Sequence, residues 1–184
     1  FYDTETNQAY PVCSKANCSH SDTKCQAFLS PKKFFPGLDI DYYNNSIYTF
    51  GYETDGTIQH NYLYQIDTDN FKQKKSAFLY DSGGGVSIVY MVHRGYVYYT
   101  HDGAVMKNTT ASVYRTKLGD TGKNAPEKIY EFSGIGATVH NFSAFGNHLF
   151  FYTSSYEDES GNGYRYALKY INIHTLESKE ITDV

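Results

Sequence analysis

Short apolar stretches alternate along the whole chain with clusters of Asn, Gly, Asp and Ser, and Ala- and Leu-rich helical stretches are absent. Three stretches line up: Tyr43-Asn44-Asn45-Ser46-Ile47-Tyr48-Thr49-Phe50, His93-Arg94-Gly95-Tyr96-Val97-Tyr98-Tyr99-Thr100, and Phe145-Gly146-Asn147-His148-Leu149-Phe150-Phe151-Tyr152. Each is a tight turn made from Asn or Gly followed by a short aromatic-rich strand. Ile47, Val97 and Leu149 take equivalent places, 50 and 52 residues apart. A short apolar segment precedes each turn: Leu38 to Tyr43, Val86 to Val92, and Val139 to Phe145. A polar, Gly-bearing loop follows each strand: Thr54 to His60, His101 to Thr110, and Glu157 to Gly163. A third strand then comes in every unit (Tyr62 to Asp67, Ser112 to Leu118, Ala167 to Ile173). A fourth closes it (Lys75 to Tyr80, Glu127 to Phe132, Lys179 to Val184).

Four antiparallel strands repeated about every 50 residues is the pattern of β-propeller blades. A β-sandwich also spaces strands every 8–12 residues or so, but gives no reason for strand-by-strand equivalence at a fixed period. The expectation is therefore an all-β chain of propeller blades, at residues 37–82, 83–134 and 135–184. Phe1 to Thr6 and Gln8 to Val12 match the third strand, turn and fourth strand of a unit, so residues 1–12 read as a half blade and 13–36 as a junction loop. Closed propellers need about four to eight blades. The chain thus reads as a partial propeller, completed by further blades of a larger chain or by a second copy. It opens on Phe1 with no initiator Met, and its original N-terminus is expected to have been removed.

Composition agrees with this picture and narrows the partners. The 184 residues include 20 Tyr and 12 Phe but no Trp, a mix that suits pleated, half-buried surfaces. A formal net charge of −4 gives no basic field, which argues against nucleic acid and anionic membranes as partners. No apolar run approaches the ~18 residues of a membrane-spanning helix, and Val86 to Val92 reads as a buried strand.

The feature with most chemical content is Cys13, Cys18, His20 and Cys25. All three cysteines of the chain fall within thirteen residues, with a His among them. Structural zinc takes four Cys or His ligands in a tetrahedron, and three Cys with one His is a regular set. A Cys-x-His pair reaches one ion only from an irregular backbone, for which Asn17 and Ser19 are suited. The competing readings are a disulfide with one spare thiol, which the odd count disfavours in an oxidising compartment, and unconnected thiols. With all four positions filled by protein, such a metal would be a structural clip with no open position for catalysis.

Other chemistry is thinner. Asp3-Thr4-Glu5, Asp67-Thr68-Asp69 and His174-Thr175-Leu176 fall in equivalent turns and read as Asx caps rather than calcium ligands. Gly83-Gly84-Gly85 and Gly134-Ile135-Gly136 precede strands, not helices, and read as blade connections rather than phosphate loops. His60 and His101 are expected near the outer end of a second strand, as surface polar residues. Asn44, Asn108 and Asn141 each open a glycosylation sequon. Asp39, Asp41 and Glu53 are candidate carboxylates for an enzyme, with no motif to rank them.

The stretch Pro11-Val12-Cys13-Ser14-Lys15-Ala16-Asn17-Cys18-Ser19-His20, with Cys25-Gln26-Ala27-Phe28, resembles a recurring segment of secreted or lipoprotein-anchored bacterial propeller proteins. These are domain-of-unknown-function propellers near the TolB-like and low-density-lipoprotein-receptor-like types, common in Gram-positive anaerobes. Asn44-Asn45-Ser46-Ile47-Tyr48 and Tyr62-Leu63-Tyr64-Gln65-Ile66-Asp67 are similar to their blade signature. The resemblance implies an extracellular or cell-envelope location and a role in binding a protein, small molecule or glycan. The first expectation is a non-enzymatic binding or scaffold module, with Tyr62, Tyr64, Tyr98, Tyr99 and Tyr152 available either as contact surface or as packing between blades. The alternatives are a carbohydrate-active enzyme of the glycosidase or lyase type, and a repeat that self-assembles through its open blades.

Overall fold

The computed structural model describes residues 2–11, 13–21, 25–27, 40–83, 88–101 and 110–181. These residues are all-β, forming three four-stranded antiparallel sheets and one two-stranded sheet. Asp39, Gly84, Gly85, Asn108 and residues 182–184 lie outside the described residues, as does all of 28–39. Two compact units are present, residues 1–83 with 119–123, and residues 84–118 with 124–184.

In the first unit, β1 (Tyr2–Asp3) and β2 (Gln8–Ala9) form the small hairpin. Strands β3 (Ile40–Tyr43), β4 (Ser46–Asp55), β5 (Ile58–Asp67) and β6 (Gln73–Ser82) follow in order in one sheet. Asn44 and Asn45 both take positive φ between β3 and β4, the backbone of a hairpin turn whose twist matches the strands it joins. Phe50, Leu63 and Leu79 are almost fully buried at mid-strand. Tyr62 and Phe78 meet edge to face with ring centroids 5.5 Å apart, close to the buried Tyr64. The 119–123 segment is tied to β6 by hydrogen bonds from Gly119 to the Ser76 carbonyl (2.6 Å) and from the Phe78 amide to the Asp120 carbonyl (3.0 Å).

The second unit holds two sheets. One contains β7 (Val89–His93), β8 (Tyr96–Thr100), β9 (Thr110–Lys117) and β10 (Glu127–Ser133). The other contains β11 (Ile135–Phe145), β12 (His148–Tyr156), β13 (Tyr164–Asn172) and β14 (Ser178–Ile181). β11 packs on β7 and β9, and the core between the sheets contains Tyr98, Val113, Val139, Leu149, Phe151 and Ile171. Each such side chain contributes about 1.5–3 kcal/mol by leaving water. Arg115 ties the two sheets together: it pairs with Glu127 through Nε (2.7 Å) and Nη2 (3.1 Å) and donates Nη1 to the Ile173 carbonyl (2.6 Å).

The repeat is visible in one hydrogen bond made three times. The amide after the third strand donates to the turn between the first two: Thr68 to Asn45, Leu118 to Gly95, and Ile173 to Asn147. The strand order is the expected one, with three local differences. Thr54 to His60 is no open loop; β4 and β5 run through it and turn tightly at Gly56, where φ is +59°. Ile135 and Gly136 belong to β11, so the connection between the two sheets narrows to Gly134. The fourth strand of the last sheet, expected over Lys179 to Val184, is present as Ser178–Ile181, and 182–184 lie outside the described residues. The third Asx turn is headed by Asn172, not His174. Asn172 Oδ1 accepts from the amides of His174 (3.0 Å) and Thr175 (3.3 Å), as Asp67 Oδ1 accepts from Asp69 (2.9 Å) and Asn70 (3.1 Å). Asp3 does the same for Glu5 and Thr6. The side-chain oxygens of Asp3, Asp67 and Asn172 are committed to backbone amides, as the cap reading expects.

Candidate metal centre

The segment from Pro11 to Ala27 has no regular structure among its described residues, and its side chains are placed by turns. Asn17 and His20 take positive φ of 59° and 57°. In an extended strand, Cys18 and His20 would stand about 6.6 Å apart along the chain. The left-handed residues instead fold this part of the chain back, and the ligand atoms of Cys13, Cys18, His20 and Cys25 all lie within 4.8 Å of one another. Tetrahedral zinc with Zn–S bonds near 2.3 Å needs ligand spacings of about 3.8 Å, a small contraction from this arrangement. His20 Nδ1 is already 3.4 Å from Cys25 Sγ. The cluster could therefore hold a metal ion such as zinc.

All three cysteines are free thiols. Cys25 is buried, Cys13 and Cys18 are half-buried, and His20 is exposed. Burial opposes ionisation of Cys13. Hydrogen bonds from the Lys15 and Gln26 amides and from the other two thiols outweigh it, bringing the thiol down to about 6. Burial pushes Cys25 up, with the neighbouring sulfurs adding to the effect. The pocket thus favours a thiolate at Cys13 and opposes one at Cys25.

Gln26 holds the loop in place, a role that its sequence position does not reveal. Its Oε1 accepts from the Ser14 amide and hydroxyl, each at 3.1 Å, and its Nε2 donates to the Asn70 carbonyl at 3.0 Å. Gln73 Nε2 donates to the Gln26 carbonyl at 2.9 Å. The cluster is thereby docked on the turn that joins β5 to β6.

The other expected site residues do not converge with it. Asp41 lies opposite Tyr48 on the β3–β4 ladder, whereas Glu53 lies an odd number of residues further along β4. Alternation therefore puts the two carboxylates on opposite faces of one sheet. Glu53 is paired with Lys75 at 2.6 Å and accepts from the Tyr64 hydroxyl at 3.3 Å. His60 is bound to Asp81 at 2.5 Å, and Lys123 reaches the same carboxylate at 3.2 Å. His101 stacks on Tyr114 with centroids 5.1 Å apart. His140 Nε2 is 2.7 Å from Ser154 Oγ, but Ser154 is 1 % exposed and offers no nucleophile to solvent. Of the five tyrosines expected either as contact surface or as packing, Tyr62, Tyr64, Tyr98 and Tyr99 are buried and pack inside the fold, and Tyr152 is exposed. Tyr164 and Tyr166 are exposed as well, and their place beside the polar loop 157–163 is the one sequence feature that marks them. Among the sequon asparagines, Asn44 is exposed in its turn and Asn141 is exposed on a bulge of β11, at φ 41°.

No family model matches the chain, and no curated protein matches it in sequence.

Proposed function

We propose that this chain is a non-enzymatic binding or scaffold module acting outside the membrane, in which a Cys₃His zinc clip secures the N-terminal segment to a run of propeller blades. The observation that carries this reading is the convergence of four ligand atoms within 4.8 Å, on a loop that Gln26 fastens to the β5–β6 turn. Four protein ligands complete a tetrahedron, so the metal's work is to hold chain together. Propeller blades are supported by the thrice-repeated bond from Thr68, Leu118 and Ile173 to the preceding hairpin turn. The non-enzymatic reading is supported by Asp41 and Glu53 falling on opposite faces, and the extracellular or envelope location by the resemblance of the Cys/His segment to exported propellers.

Hydrogen exchange with and without a zinc chelator tests the clip. Metal removal is expected to raise exchange in residues 13–27 and in the Asp67–Gln73 turn while leaving β11 to β13 protected. Unchanged exchange in both segments would refute a structural role for the metal.

A second reading, pairing with further blades or with a second copy, is favoured by the outer face of the β11–β14 sheet. Tyr152, Tyr164 and Tyr166 lie on that face by register, and all three are exposed. Light scattering across a concentration series distinguishes it: a strict monomer excludes the second copy.

A further inference from the structure

The core between the two sheets of the second unit changes character along β12 and β13. On the packed face Leu149, Phe151 and Ile171 are buried and apolar, but the next positions on that face are Thr153, Ser155, Ala167 and Arg165. Twisted sheets in face-to-face contact separate towards their corners. Here the facing sheet ends at Phe132 and Ser133, and a cleft of about 570 Å³ opens beyond them.

We infer that this cleft is a binding site for a neutral saccharide of one or two rings. The inference rests on the binding-module reading and gives it a ligand class. The volume lies within the range of small-molecule sites. Thr153, Ser155 and Ala167 line the cleft with small side chains, of which Thr153 and Ser155 are buried. At one end Lys169 and Glu180 stand 2.8 Å apart, a donor and an acceptor side by side, which suits the paired hydroxyls of a sugar. Lys169 also lies 5.8 Å from the centroid of the Phe132 ring, which keeps its ammonium over the cleft. Tyr164 and Tyr166 also border the cleft, from positions whose side chains alternate to the other face of the sheet. Charge selects against phosphorylated ligands. Both cations are already matched, Lys169 by Glu180 and Arg165 by Glu157 at 3.3 Å. A phosphate would find no uncompensated positive charge.

Amide chemical-shift titration of the whole chain tests this, with maltose, cellobiose and N,N′-diacetylchitobiose as probes and inorganic phosphate as the contrast. At least one sugar is expected to shift the amides of Ser133, Ser155 and Lys169, and phosphate to leave them in place. Glu180→Gln and Lys169→Met should each weaken that sugar by about tenfold, the loss of one charge-assisted hydrogen bond. Lys123→Met, in the other unit, should bind as the parent does. Arg165→Gln, at a side chain 77 % exposed, serves as the cleft variant should the buried-edge variants fail to fold. No shift with any of the three sugars, equal binding by the cleft variants, or phosphate shifting the same amides would overturn the inference. A chain that ignores every sugar yet holds zinc loses this cleft and keeps the clip. A chain that cleaves a bound sugar keeps the cleft and loses the non-enzymatic reading.

Discussion

The side-chain amide of Gln26 donates to the backbone carbonyl of Asn70 across 3.0 Å and 44 residues of sequence. One residue after Cys25, the chain is thus bound to the turn of an adjacent hairpin. The same amide receives the Ser14 amide and hydroxyl, one residue after the first cysteine. Gln26 therefore joins both ends of the Cys/His cluster to the sheet, and the local turns around Asn17 and His20 close it.

Replacing Gln26 with Ala should loosen that docking without removing a ligand. The expected cost is about 1–2 kcal/mol for half-exposed hydrogen bonds lost together. Zinc content should stay at the parental level while release to a competing chelator accelerates. Unchanged release kinetics would show that Gln26 contributes nothing to holding the cluster.

In metal-free protein the three thiols should differ in reactivity. Cys13, brought down to about 6 by amide and thiol hydrogen bonds against its partial burial, is largely thiolate at neutral pH. Cys25 is 5 % exposed and is pushed up by burial. Iodoacetamide at neutral pH followed by peptide mass spectrometry should find Cys13 alkylated first and Cys25 last. The reverse order would contradict the arrangement described.

Asp81 supplies an acid-sensitive contribution to the first unit. Partial burial works against its ionisation, but hydrogen bonds and charge from His60 and Lys123 prevail and hold it below its ordinary 3.8. A carboxylate depressed in the folded state adds stability that is fully present above its unfolded value and is lost as pH falls through the folded one. Melting temperatures should therefore fall more steeply below pH 3.8 for the parent than for Asp81→Asn. Parallel pH profiles would remove Asp81 as the source.

Gly134 is the single-residue link between β10 and β11, and it needs no side chain for steric reasons. A Cβ there would lie 2.8 Å from the Ser155 Cβ and 3.2 Å from its hydroxyl. Gly134→Ala should cost about 1–3 kcal/mol through forced displacement of β12 from the link. Thermal denaturation reads this directly, and a variant as stable as the parent would show that the two strands separate freely.

The strand order was legible because its markers are local. Asn44-Asn45 and Arg94-Gly95 supply the positive φ that a two-residue hairpin turn requires, and apolar runs flank them. Strand lengths were less legible. Thr54, Gln59 and His60 are polar, yet the β4–β5 ladder runs through them, because backbone pairing continues past the edge of the core. The third Asx turn was misplaced by two residues because its cap is Asn172, whereas the alignment followed the Asp67-Thr68 pair. The Cys/His cluster was readable because its four residues lie within thirteen positions, but Gln26 was not, since its partners Asn70 and Gln73 come from distant sequence. Tyrosine burial was also hidden. Tyr98 and Tyr99 are adjacent, point to opposite faces of β8 and are both fully buried, which depends on what covers each face and not on the strand itself.

Elemental analysis of the purified chain, paired with a thiol count, tests the clip most directly. The account predicts one zinc per chain and three thiols that react only after chelation or unfolding. A chain without metal that shows a single reactive thiol would contradict it, because two of the three sulfurs would then be joined in a disulfide.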